Sequence, residues 1–200
     1  WRSDNFGPNL DYFSRSTPVY VDGMLYTVAT PRRQVIAMDP ATGENIWTFR
    51  EPATVRHQRS PRQAYGKGVA YAEVDGRGVV YITTPGFFLW ALDAKTGRPL
   101  ENWGEPIALD GFEQSGGIDL IPKLVEDWGP WQDYLVAGGS YDPDYGIPRE
   151  LGMVTASAPP IVVNGVVVVL VGHQPSYGQT RIENVPGDIM GFDAATGEFL

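Results

Sequence analysis

One phrase occurs three times along the chain and limits its possible folds more than any bulk property does. The copies are Ala37-Met-Asp39-Pro-Ala-Thr42-Gly43-Glu44, Ala91-Leu-Asp93-Ala-Lys-Thr96-Gly97-Arg98 and Gly191-Phe-Asp193-Ala-Ala-Thr196-Gly197-Glu198. Such self-similarity marks a repeat architecture, in which each unit buries an apolar face against its neighbours. The aspartates lie 54 and 100 residues apart. That spacing suits a period of about 50 with one degenerate copy in the middle, hence roughly four units.

Each copy follows a second phrase: Val21-Asp-Gly23-Met-Leu-Tyr26, Val74-Asp-Gly76-Arg-Gly78-Val-Val-Tyr81 and Val163-Asn164-Gly165-Val-Val-Val168. Asp-Gly and Asn-Gly between β-branched runs predict two-residue hairpin turns, because both central positions need positive φ. The Asp-x-x-Thr-Gly phrase predicts the next turn, its Asp side chain accepting from downstream amides and its Gly left-handed. Repetition of Asp39, Asp93 and Asp193 at equivalent turns reads as structural, not catalytic. A 50-residue unit of three or four strands is a β-propeller blade, so an all-β propeller domain over residues 1–200 is predicted. Trp47, eight residues after Asp39, suits the gap between blades, and in the second unit that role shifts to Trp103.

The composition agrees. Gly 24 and Pro 17 in 200 residues fit short strands and tight turns better than a helix bundle. The longest apolar run, residues 166–171, is far short of the roughly 20 residues of a spanning helix. Zero Cys removes disulfides, thiolate metal sites and a cysteine nucleophile. The net charge of −9 arises wholly in residues 101–200, and without a cationic face nucleic acid is not an expected partner. Trp1-Arg-Ser-Asp is no signal peptide, and the third motif stops at Leu200 before its Trp, so a chain cut at both ends is expected.

Irregular spacing locates the insertions. From turn glycine to motif Asp is 16 residues in the first unit (from Gly23), 15 in the second if counted from Gly78, and 28 in the third. About a dozen extra residues between Gly172 and Gly187 therefore interrupt the third unit, and residues 104–153 form another irregular stretch. Long loops on a repeat scaffold gather on the binding face.

The pairing of Val-Asp-Gly-Met-Leu-Tyr with Ala-Met-Asp-Pro-Ala-Thr-Gly-Glu-x-x-Trp, and of Ala-Pro-Pro-Ile-Val-Val-Asn-Gly with Gly-Asp-Ile-Met-Gly-Phe-Asp-Ala-Ala-Thr-Gly, resembles the pyrroloquinoline quinone (PQQ)-dependent dehydrogenases. The resemblance implies about four blades of an eight-bladed ring. It also implies PQQ with calcium, or a lanthanide in its place, on the axis, an alcohol or sugar substrate, a quinone or cytochrome electron acceptor, and a periplasmic or secreted location. Lys67-Gly68-Val69-Ala70-Tyr71 matches a family segment whose Arg contacts a cofactor carboxylate; Lys67 keeps the charge but loses the bidentate fork. Ser157 stands where a quinone-bonding Thr is usual, with Thr155 the alternative in a shifted register. Gly172-His173-Gln174 stands where many members have a calcium-binding Glu; Gln174 offers a neutral oxygen and weaker metal binding, with Gly172 and His173 beside the cofactor. Arg15, Met190 and the missing adjacent Cys pair depart from the pattern. The catalytic Asp of the family has no counterpart in these residues, so no catalytic base is assigned.

Other candidates have plainer readings. Arg56, His57, Arg59 and Arg62 could attract an anionic quinone, yet read first as a solvated loop. Asp142 and Asp144 read as turn chemistry before acid–base chemistry. Trp128 and Trp131 read as packing before a sugar platform. The rival to the enzyme is a non-catalytic propeller scaffold that binds protein partners.

Overall fold

Each Asp-Gly or Asn-Gly pair makes the turn its sequence requires. Asp22, Asp75 and Asn164 have φ of 49°, 51° and 49°, and the glycines that follow them have φ of 80°, 76° and 76°, the signature of a type I′ hairpin. The computed structural model describes residues 16–29, 33–52, 57, 66–107, 113–114, 116–120, 123, 153–155, 158–170, 172–174 and 188–200. Strands β1 (Val19–Val21), β2 (Met24–Ala29), β3 (Gln34–Met38) and β4 (Asn45–Phe49) form one antiparallel sheet in that order. Strands β5 (Ala70–Val74), β6 (Arg77–Thr83), β7 (Phe88–Asp93) and β8 (Gly117–Asp119) form a second in the same order. The hairpin glycine of this sheet is Gly76, while Gly78 pairs with Glu73 inside the strands, which corrects the spacing counted from Gly78.

The remaining strands are β9 (Met153–Thr155), β10 (Ile161–Val163), β11 (Val166–Leu170), β12 (Gly172–Gln174) and β13 (Ile189–Asp193). β10, β11 and β13 make a third blade sheet, and β9 pairs with β12 beyond it. Between the pairs Ile161 with Val168 and Thr155 with Gly172, the β9–β10 side carries two residues more than the β11–β12 side. Pro159 and Pro160 lie there, where a residue without an N–H cannot serve a ladder.

The repeated aspartates are structural. Asp93 Oδ1 accepts from the amides of Lys95 (3.1 Å) and Thr96 (2.8 Å) and from the Thr96 hydroxyl (2.8 Å). Asp193 repeats all three bonds through Ala195 and Thr196, and Asp39 accepts from the amides of Ala41 and Thr42. In each turn the glycine amide closes on the carbonyl of the same Asp at 2.8 Å. Those donors hold the Asp193 carboxyl below the usual carboxylate range, led by the Thr196 amide. At Asp93 burial pushes the other way, but the bonds from Arg77 and Thr96 prevail and its pKa is lowered.

The same turns form the seams between blades. The Trp47 indole N–H (2.9 Å) and the Tyr26 hydroxyl (3.1 Å) both donate to the Ala94 carbonyl in the second turn. The Trp103 indole (3.0 Å) and the Tyr81 hydroxyl (2.7 Å) do the same to Ala194 in the third. Trp103 thus takes the place of Trp47 although it lies outside any strand, reached through Asn102 at φ 61°. The second and third repeats are therefore direct neighbours. Among the described residues no sheet stands between them, and those residues hold three blade sheets.

Burial follows from this order. The middle blade is covered on both faces: Val80, Ile82, Trp90 and Leu92 pack against the first sheet, while Val79, Tyr81, Leu89 and Ala91 pack against the third. The third sheet buries Val167, Val169, Met190 and Phe192 on one face only. Its other face leaves Ile161 (59%), Val163 (51%), Leu170 (51%) and Ile189 (73%) exposed. Met190, in the position of a customary family Arg, is a core residue at this seam.

Candidate functional site

The site is built on the segment that enters β5. There the backbone of Lys67 is pinned while its side chain is free to reach solvent. The Thr17 amide donates to the Lys67 carbonyl at 2.8 Å, and Thr17 bridges Gly68 in parallel. Gly68 has φ 147°, and a Cβ there would lie 2.8 Å from the Thr17 carbonyl oxygen, so this close approach needs glycine. Lys67 itself is exposed, as a residue that offers its ammonium to an anion must be.

Directly before it, Gly66 lies against a buried arginine. A Cβ on Gly66 would fall 2.5 Å from Cγ of Arg33. Arg33 is 3% exposed, sits at φ 49° and donates from Nη1 to the Thr83 carbonyl at 3.3 Å. The Thr83 hydroxyl in turn donates to the carbonyl of Ala158 at 3.4 Å. Ala158 is the neighbour of Ser157, which itself lies outside the described residues. Gly66, beside Lys67, and Ala158 are thus joined by one succession of contacts through the C-terminal end of β6.

A buried carboxylate anchors the same turn. Glu51, 6% exposed, accepts from the Gly86 amide at 2.8 Å and from the Thr84 hydroxyl at 2.5 Å. The Trp90 indole donates to that hydroxyl at 3.0 Å. His57 Nε2 is 3.7 Å from Glu51 Oε1, and His57 is 3% exposed. The solvated-loop reading therefore fails for His57, because a buried carboxylate draws the imidazole inward. Arg56, Arg59 and Arg62 lie outside the described residues, as do Arg15, Trp128, Trp131, Asp142 and Asp144.

In the third unit the backbone brings two expected site positions opposite each other. Thr155 pairs with Gly172, Val154 with His173 and Met153 with Gln174. Among the described residues no three His, Cys, Asp or Glu side chains are grouped so that they could hold a metal, and the metal expectation stays with the Gln174 amide oxygen. Taken singly, the exposed ammonium of Lys67, the glycines on either side of it and the strand-end backbone of β9 and β12 are each chemically compatible with a small anionic quinone.

Sequence reasoning missed Arg33, Glu51, Thr83 and Thr84. Arg33 and Glu51 stand beside Arg32 and Arg50, and no motif singles them out. The one available signal is the uncharged Thr83-Thr84-Pro85-Gly86 run closing a strand, which needs partners from elsewhere.

The chain matches the protein family described as "PQQ: Glucose/ethanol/alcohol dehydrogenase, beta-propeller domain" over residues 3–200. It is 31% identical over 194 residues to the glycerol dehydrogenase large subunit of Gluconobacter thailandicus, which covers 94% of this chain and 21% of that protein. Among solved structures, a quinohemoprotein alcohol dehydrogenase from Pseudomonas putida superposes with a TM-score of 0.56 at 26% identity, over 92% of this chain and 19% of that one. The quinohemoprotein alcohol dehydrogenase of Comamonas testosteroni has the same fold, with a TM-score of 0.56 at 24% identity over 92% of this chain and 20% of that one. The chain thus spans about a fifth of the length of these relatives.

Proposed function

Because the chain belongs to the family of PQQ-dependent glucose, ethanol and alcohol dehydrogenase propeller domains, we propose that it builds one wall of the cofactor pocket of an oxidoreductase acting on an alcohol, polyol or sugar hydroxyl. The observation that carries this reading is Lys67: an exposed ammonium on a pinned, glycine-bounded backbone whose neighbour Gly66 is tied through Arg33 and Thr83 to Ala158.

When bound, PQQ supplies the two-electron acceptor for the oxidation. The residues of this chain bind and orient it. Lys67 would take a cofactor carboxylate through a single charge-assisted bond, without the two-point grip of an Arg. Ser157, or Thr155, would donate a hydroxyl to the quinone, and Gly172 and His173 would line its rim. Gln174 would give a calcium ion, or a lanthanide, one neutral oxygen ligand. No residue of this chain is assigned as the base that would take the substrate proton.

The glycerol in the name of one relative supports a small hydroxylated substrate, and a quinone or cytochrome taking the electrons onward belongs to the same proposal. A periplasmic location is part of the same proposal. No helix among the described residues is long and apolar enough to cross a membrane. The scaffold alternative is disfavoured because the relatives matched along nearly the whole chain are dehydrogenases.

Titration of the protein at its natural length with PQQ, with and without calcium, tests the reading. Saturable binding that weakens in Lys67→Ala, together with dye reduction on glycerol, ethanol or glucose, is the expected result. No saturable change in absorbance or fluorescence would overturn it.

A further inference from the structure

We propose that Arg33 and Thr83 form a positioning brace that couples the backbone at Gly66 and Lys67 to the backbone at Ala158, so that cofactor affinity depends on two residues set back from the ligand. The inference rests on the function proposed above and extends it to a part of the molecule where no cofactor contact is expected. Arg33 lies in the turn directly before β3, Gly66 and Lys67 at the entry of the second sheet, Thr83 at the end of β6, and Ala158 on the approach to β10. Four chain segments therefore meet through two side chains.

Three features mark this junction as more than packing. Arg33 holds a left-handed backbone, φ 49°, which a long side chain rarely adopts and which persists only where surroundings enforce it. Its guanidinium is buried, at 3% exposure, a costly placement that must be repaid by what it holds. Gly66 carries no side chain where the Arg33 stem crosses it: a Cβ would lie 2.5 Å from Cγ and 2.9 Å from Cδ. Gly66 and the residue after it are therefore located by the arginine.

The second half of the brace follows from the prolines. Pro159 and Pro160 have no N–H, so this stretch cannot be pinned by donating to a ladder. The Ala158 carbonyl remains as a handle, and the Thr83 hydroxyl takes it at 3.4 Å. Because the carbonyl of the same Thr83 accepts from Arg33, a shift at either arm is passed to the other.

PQQ titrations of the protein at its natural length test the coupling, using Lys67→Ala, Arg33→Met, Thr83→Val, Thr83→Ser and the Lys67→Ala/Arg33→Met pair, with hydrogen exchange of the same proteins free of cofactor. Arg33→Met keeps the apolar stem and should weaken PQQ binding about tenfold, the usual effect of losing a charged hydrogen bond. Thr83→Val should weaken it several-fold, with Thr83→Ser restoring wild-type affinity. In the double variant the loss should be smaller than the product of the single losses, because Arg33 acts through placement of Lys67. Without cofactor, Arg33→Met and Thr83→Val should each speed exchange in residues 66–70 and 161–163 together. Multiplying affinities, or an Arg33→Met affinity equal to wild type, would overturn the brace, as would exchange rising in neither segment or in one alone. Coupled exchange in a protein that binds no PQQ would uphold the brace and remove the dehydrogenase reading.

Discussion

Gly97→Ala is the sharpest test of how the blades are joined. Gly97 has φ 70°, and a Cβ there would lie 2.4 Å and 2.5 Å from two ring carbons of Trp47. Two costs add. Alanine in a left-handed conformation costs about 1–2 kcal/mol, less roughly 0.4–1 kcal/mol returned by restricting the unfolded chain. The indole must also move, which carries an overpacking cost of about 1–3 kcal/mol and loosens its bond to Ala94, worth about 0.5–1.5 kcal/mol. Gly23 and Gly76 are internal controls: at φ 80° and 76° with nothing within 4 Å of a built Cβ, they carry the strain without the clash. Gly97→Ala should therefore destabilise by about 2–4 kcal/mol more than Gly23→Ala or Gly76→Ala. Urea unfolding followed by tryptophan fluorescence, with equal slopes across variants, measures the difference. If all three variants unfold together, the indole seat on the second turn does not hold the blades as described.

Tyr26→Phe and Trp47→Phe should each cost about 1 kcal/mol in hydrogen bonding, because each leaves the Ala94 carbonyl one donor, and the pair should cost more than their sum once the carbonyl is orphaned; a double-mutant cycle in urea checks this. Burial, with nearby Tyr71 and carboxylates, pushes Tyr26 up to about 12, and burial raises Tyr81 as well. A raised folded-state pKa means stability that is intact below about pH 10 and lost as pH climbs from there through the folded value. Alkaline unfolding should thus coincide with late tyrosine ionisation at 295 nm; early ionisation of every tyrosine in a folded protein would refute it. Asp93 has the opposite sign: its lowered pKa contributes stability above the ordinary Asp value near 3.9, lost as pH falls. Arg77→Met should move acid unfolding to higher pH, and an unchanged acid midpoint would contradict that. Finally, the apolar face of Ile161, Val163, Leu170 and Ile189 should make these 200 residues self-associate. Ile161→Lys/Ile189→Lys should shift sedimentation toward monomer.

Local chemistry was legible wherever a residue type has one conformational use. Asp-Gly and Asn-Gly announced the hairpins, and Asp-x-x-Thr-Gly announced a turn whose bonds all close within six residues. Lys67 entered only through the resemblance of Lys67-Gly68-Val69-Ala70-Tyr71 to a family segment; the positive φ of Gly68 is what the structure adds beside it. The adjacency of the blades was not legible: the distance from Asp93 to Asp193 says how much chain intervenes, not where it goes, and the docking of Trp103 on Ala194 shows the second and third repeats to be direct neighbours. The buried charges were equally hidden. Arg33 and Glu51 carry residue names that usually mean solvent, and nothing within a few positions of either shows that Thr83, Thr84 and Gly86 will enclose them.

The sequence by itself determined the strands, the turns and the repeat, because each depends on φ preferences and hydrogen bonds within a few residues. The tertiary structure alone decided which blades touch, which charges are buried and which distant side chains bond to one another. Those depend on contacts between residues 33 to 113 positions apart, whose partners are chosen by the packing of whole sheets and leave no local mark in the chain.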